Sequence, residues 1–99
     1  MIADYWKLGE DVQDRIRAGG YESESVEGIA VDLHDILQAA DALRDDTGPA
    51  ILTAADAELA GRLHEMRRHL QHIRWHTLAA EQHLIHALAI LEPAHEQPL

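Results

Sequence analysis

From residue 59 to residue 91, apolar or small side chains return at intervals of three or four with no proline between them: Leu59, Leu63, Met66, Leu70, Ile73, Thr77, Ala80, Leu84, Leu88 and Leu91. That interval keeps residues on one side of an α-helix but scatters them over both faces of a strand. The regular solution is therefore a long amphipathic helix. Thr53 followed by Asp56 is a capping pattern, and Glu92-Pro93 is a stop, so the expected helix spans 53–91. At 1.5 Å per residue it would be roughly 58 Å long. Gly61 permits a bend at a cost of only about 1 kcal/mol but does not require one.

Two shorter helices are expected before it. Ile2, Tyr5, Leu8, Val12 and Ile16 mark a helix over 3–18, closed by Gly19-Gly20, where glycine can take the left-handed conformation. Val26, Ile29, Leu33, Ile36, Ala40 and Leu43 mark a second over 23–45, with Ser23 or Ser25 as its cap and Gly48-Pro49 as a break after it. These two would be roughly 24 Å and 33 Å long. The long helix must then lie along the shorter ones placed end to end, bend at Gly61, or project and pair with a second copy. The expectation is an all-α fold: a three-helix antiparallel bundle with a long C-terminal helix, completed as a homodimer. Residues 1–92 form its single domain and 93–99 a flexible tail. With no phenylalanine and two residues each of Trp and Tyr, its core must be aliphatic and alanine-rich.

Charge divides the chain. Residues 1–58 carry fourteen Asp or Glu against Lys7, Arg15, Arg17 and Arg44, a net of 4 − 14 = −10. Residues 59–99 carry four acids and four arginines, net zero, and seven of the eight histidines. Direct nucleic-acid binding is disfavoured, because phosphate contacts need clustered Lys and Arg. The chain has no cysteine, hence no disulfide frame and no thiolate ligand. Its start, MIADYWKLGED, lacks the layout of a secretion signal, and no apolar run approaches the roughly 20 residues that span a bilayer, so a soluble cytoplasmic protein is expected.

Within the long helix, His69, His72, His76, His83 and His86 are separated by three, four, seven and three positions. With His69 at zero, the others fall at about 300°, 340°, 320° and 260°, while the apolar seam centres near 70°. The seam is expected to complete the interior and the imidazoles to form a second face. They can serve there as boundary residues hydrogen-bonded to the acids of the first two helices. Alternatively they can bind a divalent transition metal (Zn, Ni or Cu), His72 and His76 offering two nitrogens at i and i+4 and His83 with His86 a further pair. One helix cannot complete such a site, so the acidic ligands must come from elsewhere. No His-Glu-x-x-His spacing is present.

Arg67 and His72, with four residues between them, resemble the Arg-x4-6-His motif of the HEPN family of small helical ribonucleases. That resemblance implies Arg67 and His72 as catalytic residues that meet across a dimer and cleave RNA without metal. It covers six residues, and Arg68 stands where the family usually has a smaller polar side chain.

No glycine-rich phosphate loop or nucleophile elbow is present, and the carboxylates are expected on solvent-facing sides of their helices. Composition therefore favours a small, acidic, non-enzymatic interaction module with no cofactor, an inhibitor or regulator that docks on a basic surface of a larger protein. Glu10, Asp11, Asp14, Asp32, Asp35, Asp45 and Asp46 are its candidate partner-binding residues.

Overall fold

The computed structural model describes residues 4–21 and 26–92, and every regular element among them is helical. In order they are α1 (Tyr5–Ala18), α2 (Val26–Ala42), a π-helical turn (Leu43–Thr47), α3 (Gly48–Thr53) and α4 (Asp56–Leu91). No helix among the described residues is long and apolar enough to cross a membrane. The Ser23 or Ser25 cap, the Pro93 stop and the tail lie outside the described residues.

Local chemistry sets most of the boundaries. The Asp4 carboxylate accepts from the Lys7 amide and starts α1. Gly19 and Gly20 end it as expected, with Gly20 at φ 114°, a conformation that favours glycine. The break expected at Gly48-Pro49 is not there. The helix widens instead into the π turn, where the Gly48 amide donates to the Leu43 carbonyl five residues back. A Cβ on Gly48 would sit 2.8 Å from that oxygen, so this closure needs glycine. Pro49 then falls in the first turn of α3, where its missing N–H has no intrahelical partner to lose.

Thr53 does not cap α4 either. It is the last residue of α3, and its hydroxyl donates to the Pro49 carbonyl at 3.3 Å. The chain turns at Ala54-Ala55, and α4 starts at Asp56, keeping Asp56 and Glu58 at the positive end of its dipole. It runs 36 residues through Gly61 without interruption, roughly 54 Å. The expected length mismatch is resolved because α2, the π turn and α3 together flank this rod.

α2 packs against both α1 and α4. At Gly9 a Cβ would lie 2.8 Å from the Ala30 Cα, so the α1 and α2 backbones nearly touch. Tyr21, Val26 and Ala87, with Ile16 against them, form a small cluster at the α1–α2 end of the layer. The molecule measures 57 × 38 × 19 Å, thin in one direction.

α4 is rotated from the expected orientation, by about 70° toward its histidine side. The buried residues of this helix are His76, Ala80 and Ala87, whereas Leu63, Leu70, Leu84 and Leu88 are exposed. His76 from the histidine side and Ala80 from the seam both face the interior, and the seam's leucines face out. The cause lies in α2, which presents Gly28 and the carboxylates of Asp32 and Asp35 to α4. Leucine there would leave a buried carboxylate without a partner, whereas imidazole satisfies it.

Candidate metal centre

Two helices build the site. On α2, Asp32 and Asp35 are one helical turn apart and share a side. On α4, His72 and His76 are likewise one turn apart and meet them. His76 is 4% exposed and Asp32 5%. His76 Nδ1 donates to Asp32 Oδ1 at 2.7 Å, and a neutral ring so held carries its lone pair on Nε2. That nitrogen lies 2.9 Å from His72 Nε2 and 2.9 Å from Asp35 Oδ2.

The third side of this triangle, His72 Nε2 to Asp35 Oδ2, is 3.9 Å. The three atoms lie 2.9, 2.9 and 3.9 Å apart, close enough to share one ion, which for tetrahedral coordination sits above their plane with His72 and Asp35 drawn slightly toward each other. Among the described residues, Asp35, His72 and His76 are the group whose ligand atoms converge closely enough to hold a metal ion. A lone pair on His76 Nε2 facing a carboxylate oxygen at 2.9 Å also requires positive charge between them, from a proton or a cation.

Groups behind the ligands fix them. Asp32 holds the His76 ring from its far nitrogen, the arrangement that orients metal-binding imidazoles. His34 Nδ1 is 2.8 Å from Asp35 Oδ1, leaving Oδ2 for the centre. Trp6 of α1 stacks on His34 with ring centroids 4.3 Å apart, so all three long helices contribute. Trp75 meets His76 edge-on at 4.7 Å. The centre is reachable from solvent through His72, whose side chain is 51% exposed, and Asp35, at 27%.

His83 stands close by, its Nε2 4.0 Å from Asp32 Oδ2, in space that Gly28 leaves open: a Cβ there would be 2.6 Å from that nitrogen. His69 is half-buried and His86 exposed, and neither belongs to the converging group. The expected pairing of His83 with His86 is therefore replaced by His83 beside Asp32. Arg67 lines an exposed groove with Leu63, Met66 and Leu70, while His72 turns toward α2. Five positions along a helix separate two side chains by about 140°, so one protomer does not bring Arg67 and His72 together.

The expectation that the acids lie on solvent faces holds for Glu10, Asp11, Asp14, Asp45 and Asp46, all exposed. Asp11 pairs with Lys7, and Asp45 with Arg44, whose hydrogen bond holds the Asp45 carboxyl below the usual carboxylate range. Asp32 and Asp35 depart from it, because imidazoles from α4 replace their water. Sequence reasoning missed them, and His34, as parts of a histidine site. The available signal was Asp-x-His-Asp over 32–35, which places two carboxylates on one helix side and an imidazole next in sequence to the second.

Comparison with protein families, with curated proteins and with solved structures finds no match to the chain.

Proposed function

We propose that this chain binds one divalent transition-metal ion, zinc foremost, between α2 and α4 through His72 Nε2, His76 Nε2 and Asp35 Oδ2. The observation that carries the reading is the donor triangle, two imidazole nitrogens and one carboxylate oxygen converging within 3.9 Å of one another. Two imidazoles and one carboxylate suit zinc, cobalt, nickel or iron(II) rather than the oxygen-seeking magnesium and calcium. Three protein ligands leave a coordination position for water or a small ligand, on the side where His72 and Asp35 are exposed. The metal ties α4 to α2, so its binding couples to the stability of the helical layer.

The test is calorimetric titration of zinc into protein prepared without a histidine tag. One ion per chain at submicromolar affinity is expected, with loss of binding in His76→Ala and in His72→Ala. Absence of stoichiometric binding to the folded wild-type chain would end the proposal.

A second reading, a protein-interaction module, is favoured by the exposed leucines of α4 and by the acid-rich surface of residues 1–58. A small folded chain rarely leaves a row of large apolar side chains in water without a partner. In this reading the protein docks through that ridge, and a homodimer is its simplest form.

A further inference from the structure

On α4, the side turned away from α2 carries Leu63, Leu70, Leu78, Leu84, Ile85 and Leu88, each between 42% and 56% exposed. The ridge runs about 38 Å from Leu63 to Leu88 at the helical rise. Charges run along the same side in a definite order, with Arg67 and Arg74 in the first half and Glu81 and Glu92 in the second, at steps of seven, seven and eleven residues. Such a ridge is complementary to itself only when reversed. Parallel and in register, arginine would face arginine and glutamate face glutamate, whereas reversal sets each basic half against an acidic one.

Long-range charge points to the same side. Residues 1–58 carry a net −10, so most of the surface repels a second copy. α4 itself carries Arg62, Arg67, Arg68 and Arg74 against Asp56, Glu58, Glu65 and Glu81, a net of zero, which makes it the helix along which two copies can approach with least repulsion.

We propose that the occupant of this ridge is a second copy of the chain, with the two α4 helices antiparallel about a twofold axis between Thr77 and Leu78. The proposal rests on the interaction reading above and names its partner. About this axis Arg74 meets Glu81 of the partner subunit, Leu70 meets Ile85 of the partner subunit, and Arg67 comes within one turn of Glu92 of the partner subunit. Leu63 lies far out, about 43 Å along the helix from Leu63 of the partner subunit. The histidine side of each α4 stays packed on its own α2, so each protomer keeps a complete set of metal-binding residues.

The test uses the full chain, which has no cysteine of its own, so single introduced thiols report geometry directly. Sedimentation equilibrium is expected to give a dimer. Leu70→Glu should weaken dimerisation at least tenfold with helical circular dichroism retained. Leu78→Cys should cross-link to itself on mild oxidation and Leu63→Cys should not. Arg74→Glu and Glu81→Arg should each weaken the dimer, and the double swap should restore it. Cross-linking of both cysteine variants alike would mean a parallel pairing and overturn the proposal, as would a dimer indifferent to Leu70→Glu. A wild-type monomer would also overturn it. If that monomer bound an apolar dye in a Leu70-dependent way, the ridge would remain a docking surface for a different protein. If it bound none, the interaction reading would fall as well.

Discussion

His76 donates through Nδ1 to Asp32 Oδ1 at 2.7 Å, across a buried contact joining positions 44 residues apart. This pair orders the whole centre. It turns the imidazole so that Nε2 faces His72 and Asp35, and it satisfies a carboxylate that packing has removed from water.

Asp32 touches no proposed metal position, yet it governs His76. Asp32→Asn should lower zinc affinity by roughly 10–100-fold while leaving one ion per chain, because the ring loses its oriented, more basic tautomer. Competitive titration against a chromophoric chelator measures this. Unchanged affinity in the folded variant would remove Asp32 from the account.

Zinc should stabilise the fold. At a free concentration 100 times Kd the gain is about 2.7 kcal/mol, which for a chain of this size raises Tm by roughly 10–20 °C. Thermal unfolding followed by helical circular dichroism checks it, and a chelator should reverse the shift. His76→Ala should show no metal-dependent shift at all.

Both tryptophans report on the centre. Trp75 meets the His76 ring edge-on at 4.7 Å, and Trp6 stacks on His34, whose Nδ1 contacts Asp35. Copper(II) or nickel(II) should quench the emission with a single-site isotherm, and Trp75→Phe should remove the larger part of the quench. Emission unchanged at saturating metal would contradict the placement.

At alkaline pH the α1–α2 contact should weaken. The Tyr5 hydroxyl donates to Asp41, and that hydrogen bond, followed by burial and the Asp41 charge, lifts its pKa above the ordinary 10.0. A pKa raised on folding contributes stability that is fully present below the unfolded value and lost as pH climbs through the folded one. The stability difference between wild type and Tyr5→Phe should therefore shrink above about pH 10 in chemical denaturation. A difference constant across that range would show that the phenol does not titrate differently in the two states.

What the sequence made legible was local. The close of α1 at Gly19-Gly20 follows from backbone preferences of a few residues, whereas the course of α4 at Gly61 was left open, because glycine there permits a bend without requiring one. Gly48-Pro49 misled because proline stops a helix only where it enters the interior. A preceding π turn put Pro49 in a first turn, and the register that decides this is not written in the dipeptide. The apolar period of α4 identified a helix and its richest side, but periodicity cannot say which side a neighbour will cover. Asp32, Asp35 and Gly28 on α2 decided that. The site was legible by half for the same reason. His72 and His76 stand out by spacing, while carboxylates at i and i+3 on a helix look like any solvated pair until another helix supplies their partners.

X-ray absorption at the zinc edge of the tag-free, zinc-loaded protein tests the central claim most directly. The predicted result is one zinc per chain with nitrogen and oxygen neighbours at about 2.0–2.2 Å and scattering from two imidazole rings. A zinc shell with no imidazole scattering, or one unchanged when His72 and His76 are both replaced, would contradict it.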